Sequence, residues 1–167
     1  MNHQIEGGES YFVDSFHVAS LLSNESFKTL ATVPMTFEYK AGQHHTRYVR
    51  PAIELDESGA VSAVNYSPPF QGPLTKATFE HADALHRALS EFAELCDSEK
   101  LQYRRQLDPG DLVIFDNRRT LHARTAFSFV KRDEGQGQER GRWLKGAYLD
   151  QDELLSKWRV LHSRIMS

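Results

Sequence analysis

The chain has 167 residues, 20 Lys and Arg against 23 Asp and Glu for a net charge of −3, and one cysteine. That length suits one domain with a real core, and the near balance of charge leaves no basic footprint for nucleic acid or a membrane surface. Cys96 alone excludes an internal disulfide framework and fits a reducing compartment, and every apolar run falls well short of the about 20 residues a bilayer-spanning helix needs.

The first eight residues have neither the apolar core of a signal peptide nor the arginine-rich look of a transit peptide. A cytoplasmic or mitochondrial location is expected. Gly7-Gly8 marks a turn that feeds a short strand ending near Asp14. Ser15 opens a helix with Phe16, Ala19 and Leu22 on one face. Ser23 or Asn24 caps a second helix through Phe27, Leu30 and Ala31, which Pro34 ends. Residues 35–39 are then extended. A strand over 46–56 turns through Glu57-Ser58-Gly59 into residues 60–66, a hairpin. The preceding His44-His45 pair is a poor metal site, because adjacent strand residues face opposite ways. Asn65-Tyr66-Ser67-Pro68-Pro69-Phe70 is a proline-stiffened loop bearing aromatics, suited equally to packing on the core and to approaching a ligand.

Residues 78–97 carry Phe79, Ala82, Leu85, Leu89, Phe92 and Cys96 at helical spacing. Within them lies His81-Ala82-Asp83, the one His-x-Asp in the chain. Helix residues i and i+2 point about 200° apart, so this pair cannot chelate one ion and reads as helix surface. Residues 101–107 form a strand leading to the Pro109-Gly110 turn, and Leu112-Val113-Ile114-Phe115 has the look of a short buried strand. Asp116-Asn117 ends it, and His122 follows at a strand end with Arg124 close behind; Asp111, Asp116 and Asn117 read as turn and strand-end residues. After a flexible loop tip at 135–138, residues 142–149 return as a strand. Residues 153–166 close the chain as a helix with Leu154, Leu155, Trp158 and Leu161 inward. The sum is an α+β fold built on an antiparallel β-sandwich.

A histidine at a strand end, facing an arginine on the next strand, suits a metal that must hold a carboxylate ligand. The block Gly110-Asp111, Phe115-Asp116-Asn117, Arg119, Leu121-His122, Arg124, Arg142 and Gly146-Ala147-Tyr148-Leu149-Asp150 resembles the C-terminal signature of the γ-butyrobetaine hydroxylase and trimethyllysine hydroxylase family. These are TauD/TfdA-like dioxygenases that use Fe(II), 2-oxoglutarate and O2, with ascorbate as a supportive reductant. Weaker similarity runs back to Gly7-Gly8-Glu9-Ser10. The resemblance implies the double-stranded β-helix, or jelly roll, of 2-oxoglutarate oxygenases.

It also implies roles. His122 matches the distal histidine of a two-His, one-carboxylate iron triad. The far carboxylate of 2-oxoglutarate needs a planar, bidentate cation; Arg142 matches the family position and Arg132 is its rival, while Arg124 stands too near the ligand. Period-2 alternation would set Arg142, Leu144, Gly146 and Tyr148 on one face, with Tyr148 against a trimethylammonium head. Asn65 and Tyr66 fall where the family's loop approaches substrate. The family's His-x-Asp would precede Met1, so residues 1–167 are expected to be a partial oxygenase domain, N-terminally truncated, exposing strand edges and inactive alone. The function implied is hydroxylation of γ-butyrobetaine or trimethyllysine, as in carnitine biosynthesis, by a protein that binds a small molecule, not nucleic acid or membrane, and that can form a homodimer. The alternatives are a non-catalytic truncated isoform or pseudoenzyme with an association role, and the same chemistry on another small acid such as a sulfonate.

Overall fold

Residues 5–129 and 144–166 are described in the computed structural model, in two units that divide after Val130. The first carries β1 (Ile5–Gly7), β2 (Ser10–Asp14), α1 (Ser15–Leu21), α2 (Asn24–Thr32), β3 (Pro34–Ala41), β4 (His44–Pro51), β5 (Ile53–Leu55), β6 (Val61–Val64), α3 (Lys76–Phe79), α4 (Ala82–Asp97), β7 (Gln102–Arg105), β8 (Thr120–Arg124) and β9 (Phe127–Phe129). The α+β expectation holds. The described strands divide among four antiparallel groups, ordered β7-β2-β8, β1-β9, β3-β4 and β5-β6. None of the described helices is long and apolar enough to cross a membrane.

Local chemistry sets most of these boundaries. Asp14 caps α1, its Oδ1 accepting from the Phe16 and His17 amides at 3.1 and 3.4 Å. Of the two candidates Ser23 caps α2, and Glu91 reinforces that cap from α4. Its carboxylate accepts from Ser23 N at 2.7 Å, Ser23 Oγ at 2.8 Å and Ser26 Oγ at 2.5 Å. The Asp56 side chain builds the β5–β6 turn by accepting from Ser58 N and Ala60 N, at 2.8 and 3.0 Å. Gly7 stands at φ +80°, where a Cβ would lie 2.3 Å from the Ala126 carbonyl oxygen, so β1 and β9 meet only because the position is glycine.

The core lies where α1, α2 and α4 cover β5 and β6. Val18, Leu30, Ile53, Leu85 and Phe92 are fully enclosed there, and the Phe92 ring packs on Tyr66 at 5.0 Å. Burial also pushes the Cys96 thiol up to about 12, which leaves it inert as a nucleophile at neutral pH.

Several sequence expectations give way. The strand expected over 46–56 divides, because Pro51 offers no amide: β4 pairs with β3 and β5 with β6. The helix expected over 78–97 starts earlier as α3 and breaks at Glu80-His81. Thr78 Oγ1 is drawn inward to the Pro34 carbonyl at 2.9 Å, which leaves Phe79 71% exposed. Residues 112–115 form no strand; Leu112 and Ile114 are 82% and 84% exposed. Within this segment Phe115 instead packs its ring on Phe12 and His122.

In the second unit, residues 144–150 have no regular structure instead of the expected strand. α5 (Gln151–Ile165) forms as predicted, but none of its residues is buried. Within that unit Leu154, Trp158 and Leu161 are exposed and Leu155 half-buried, so the stripe finds no cover in its own unit.

Candidate functional site

β2 is the middle strand of its sheet, and the register pairs Phe12 with Tyr103 on one side and His122 on the other. These three form one row across the sheet, on the face opposite Val13 and Leu121, which turn toward the core. His122 is thus the central residue of β8, not the end of a strand, and it is exposed. Its ring lies 4.9 Å from that of Phe115, which meets Phe12 edge-on at 5.7 Å; Phe12 and Tyr103 are 6.4 Å apart. One row further along, Ser10 pairs with both Arg105 and Arg124. Arg105 is ion-paired with Asp111 at 3.6 Å, and Arg124 lies 4.2 Å over the Phe127 ring. His122 therefore sits among aromatic rings, with two guanidinium-bearing positions on the same sheet face.

The turn before β8 explains how it is held. Asp116 Oδ1 accepts from Arg118 N at 2.8 Å, and the Asp116 carbonyl accepts from Arg119 N and Thr120 N at 3.1 and 2.7 Å. Two consecutive arginines then leave this turn in different directions. Arg119 donates through Nε and Nη2 to the two Asp14 oxygens at 3.0 and 2.6 Å, and its carbonyl accepts from Ser15 N and Oγ at 3.0 and 2.5 Å. Hydrogen bonding from Arg119, outweighing partial burial, holds the Asp14 carboxyl below its ordinary value. Arg118 donates to Asn65 Oδ1 at 2.7 Å and lies 3.0 Å from Glu54 Oε1, and its carbonyl accepts from Val64 N at 2.9 Å.

Asn65 is occupied at both ends. Its Nδ2 donates to the Pro51 carbonyl at 3.0 Å and to Glu54 Oε1 at 2.7 Å, while its Oδ1 faces Arg118. Arg50 adds a second guanidinium to Glu54 at 3.1 Å. Burial alone would raise the Glu54 carboxyl, but Asn65, Arg118 and Arg50 together hold it below its ordinary value. Tyr66 packs inward on Phe92, and burial raises its hydroxyl. Glu54 and Arg118 escape a reading of the sequence, since Arg118 fills the variable position of Asp-Asn-x-Arg. The tandem Arg118-Arg119 after an Asp-Asn turn is the one local sign of them.

Among the other sequence candidates, His81 precedes α4 and Asp83 occupies its first turn; both are exposed as expected, although His81 stands in the break before the helix and not on it. Tyr148, in the second unit, is 87% exposed. Arg132 and Arg142 lie outside the described residues. Among the described residues no three His, Cys, Asp or Glu side chains gather to hold a metal ion. The neighbours of His122 are rings, so the described residues offer one candidate ligand and do not by themselves fit an iron centre.

Relatives place this arrangement. The dioxygenase str8 of Strobilurus tenacellus is 38% identical over 164 residues, covering 96% of this chain and 38% of its own. The γ-butyrobetaine dioxygenase of Pseudomonas sp. (strain AK-1) is 34% identical, over 93% of this chain and 39% of its own. The trimethyllysine dioxygenase of Meyerozyma guilliermondii is 26% identical, over 96% of this chain and 39% of its own. The chain thus spans about two fifths of the length of these curated relatives. A taurine dioxygenase from Burkholderia xenovorans shares the fold at a TM-score of 0.51 and 18% identity, over 71% of this chain and 41% of that one. The profile of one family, described as "Taurine catabolism dioxygenase TauD, TfdA family", matches residues 2–148. Gly7-Gly8, the Asp116–Arg119 turn, the His122 strand and Tyr148 all fall within that match, and the chain belongs to this TauD, TfdA family of dioxygenases.

Proposed function

We propose that this chain carries the distal-histidine portion of an Fe(II)- and 2-oxoglutarate-dependent dioxygenase acting on a small trimethylammonium compound of the γ-butyrobetaine or trimethyllysine kind. The overall reaction would consume O2, one oxygen atom entering an unactivated C–H bond as hydroxyl and the other entering succinate as 2-oxoglutarate loses CO2. One observation carries the reading: the Leu-His-Ala-Arg run forms β8, and its pairing with β2 presents His122 on an exposed sheet face beside Phe12, Tyr103 and Phe115. An imidazole so placed can ligate a metal, and the rings can exclude water around it. The remaining protein ligands would come from residues other than those described. The relatives named for γ-butyrobetaine and trimethyllysine support the substrate class at 34% and 26% identity. We further infer that Arg142, rather than Arg132, grips the far carboxylate of 2-oxoglutarate, that Tyr148 meets the cationic head, and that the strands belong to a jelly roll.

A chimera tests this directly. The chain replaces its matching segment in the Pseudomonas γ-butyrobetaine dioxygenase, and CO2 release from 2-oxoglutarate is followed with γ-butyrobetaine present. Turnover is expected, and His122→Ala should abolish it. Arg142→Lys should raise the 2-oxoglutarate requirement about 10- to 150-fold, the loss of one charge-assisted hydrogen bond of about 1.5–3 kcal/mol, while Arg132→Lys leaves it nearly unchanged. Tyr148→Leu should weaken γ-butyrobetaine several-fold to about 30-fold. A folded chimera whose turnover ignores His122 would refute the proposal.

A further inference from the structure

The strand that carries His122 follows a long irregular segment. Between Arg105 at the end of β7 and Thr120 at the start of β8 there is no helix or strand, so no tight hairpin sets the register of β8 against β2. Register matters here because side chains alternate faces: a slip of one residue would turn His122 toward the core side and Leu121 outward. Something other than a hairpin turn must hold β8 in place.

We propose that Arg118 is a positioning residue for His122, locking the register of β8 by anchoring the Asp116–Arg119 turn to Glu54 and Asn65. Three features support this. Arg118 is fixed at both main chain and side chain: its carbonyl accepts from Val64 N at 2.9 Å, and its guanidinium divides between Asn65 Oδ1 at 2.7 Å and Glu54 at 3.0 Å. The anchor itself is stiff, because Glu54 Oε1 also receives Asn65 Nδ2 and Arg50, and Asn65 is tied to the Pro51 carbonyl. Finally, β5 and β6, which provide the anchor, belong to the packed core through Ile53 and Val64. Arg119 grips β2 and α1, whereas Arg118 grips β5 and β6. The turn is therefore fixed to two separate parts of the fold, and four residues on from Arg118 the chain presents His122. A planar fork reaching two oxygens at once suits arginine and not lysine.

The inference rests on the reading of His122 as a metal ligand for its functional meaning, though not for its geometry. The test uses the 167-residue chain, with amide hydrogen exchange and ring-to-ring nuclear Overhauser contacts between His122 and Phe115 as readouts. In Arg118→Met, the β8 amides should exchange at least tenfold faster and the His122–Phe115 contact should be lost, while the Leu85 and Ala88 amides of α4 stay within twofold. Arg118→Lys should fall between, and Glu54→Gln should move in the same direction. If Arg118→Met does not fold, Arg118→Lys decides by the same comparison. Unchanged β8 exchange with an intact ring contact would overturn the proposal. So would equal acceleration of β8 and α4, which would make Arg118 a general stabiliser. Separately, Co(II) is titrated into the unaltered chain and paramagnetic broadening of the His122 ring signals is followed. Absence of broadening would overturn the ligand reading and leave the register result standing.

Discussion

Asp14→Ala separates two tasks that one carboxylate performs. Asp14 caps α1 through Phe16 and His17 and also accepts the Arg119 fork at 3.0 and 2.6 Å. Loss of an aspartate cap costs about 1 kcal/mol. The ion pair adds less: its side chains are 43% and 52% exposed, and exposed pairs of this kind contribute well under what burial would give. Asp14→Ala should therefore cost about 1–2 kcal/mol, which lowers the melting temperature by roughly 2–8 °C for a chain of this size. Asn caps as well as Asp does, so Asp14→Asn should show only the smaller, ion-pair part. The pH dependence has a definite sign. The folded carboxyl titrates below its ordinary value, so its contribution is fully present above the unfolded pKa of about 3.9. It disappears as pH falls through the lower folded value. Melts followed by circular dichroism from pH 7 downward should show a constant gap between the unaltered chain and Asp14→Asn to about pH 5, then a closing one. An Asp14→Asn loss equal to that of Asp14→Ala, or a gap that widens in acid, would refute the division of labour.

The apolar run at 112–115 should govern self-association. Leu112→Lys with Ile114→Lys, both at exposed positions, should reduce concentration-dependent oligomers on size-exclusion chromatography without lowering the melting temperature; unchanged elution would show that the run is not the adhesive surface. Phe92→Ala should remove about 3–5 kcal/mol from the core, a large share of the total stability of a small domain. Chemical denaturation should then show loss of a cooperative transition, and a loss below about 1 kcal/mol would contradict the packing of Phe92 on Tyr66.

What the sequence reveals well is what depends on near neighbours. Ser23 as one of two candidate caps, the turn at Glu57-Ser58-Gly59 and the helical period of α5 are each decided within a few residues, and each is found where its residues predict. His122 on a strand is legible through the run that surrounds it. Residues 112–115 are not, because an apolar tetrapeptide carries no information on whether it will pair with a strand. The same holds for α5, whose periodicity marks an apolar face without saying what covers it. The Glu54–Asn65–Arg118 cluster joins residues more than fifty positions apart, and a variable position such as 118 gives no sign of a distant partner. Asn65 illustrates the same limit: its place in a loop suggests a ligand contact, whereas both ends of its amide are occupied by the protein itself.

The middle place of β2 in its sheet has a consequence for how the chain is made. Phe12 and its neighbours leave the ribosome about 110 residues ahead of their β8 partners near His122, and β1 must wait still longer for β9. At typical synthesis rates that is roughly 5–20 s during which an apolar strand is out and unpaired. The segments from α1 to α4 can meanwhile bury Val18, Leu30, Ile53 and Phe92 among themselves. Synthesis thus divides these segments by time: a helical core that can settle while the chain grows, and a sheet bearing His122 that can close only once β8 has emerged, after a wait in which a chaperone or another nascent chain could reach β2 first.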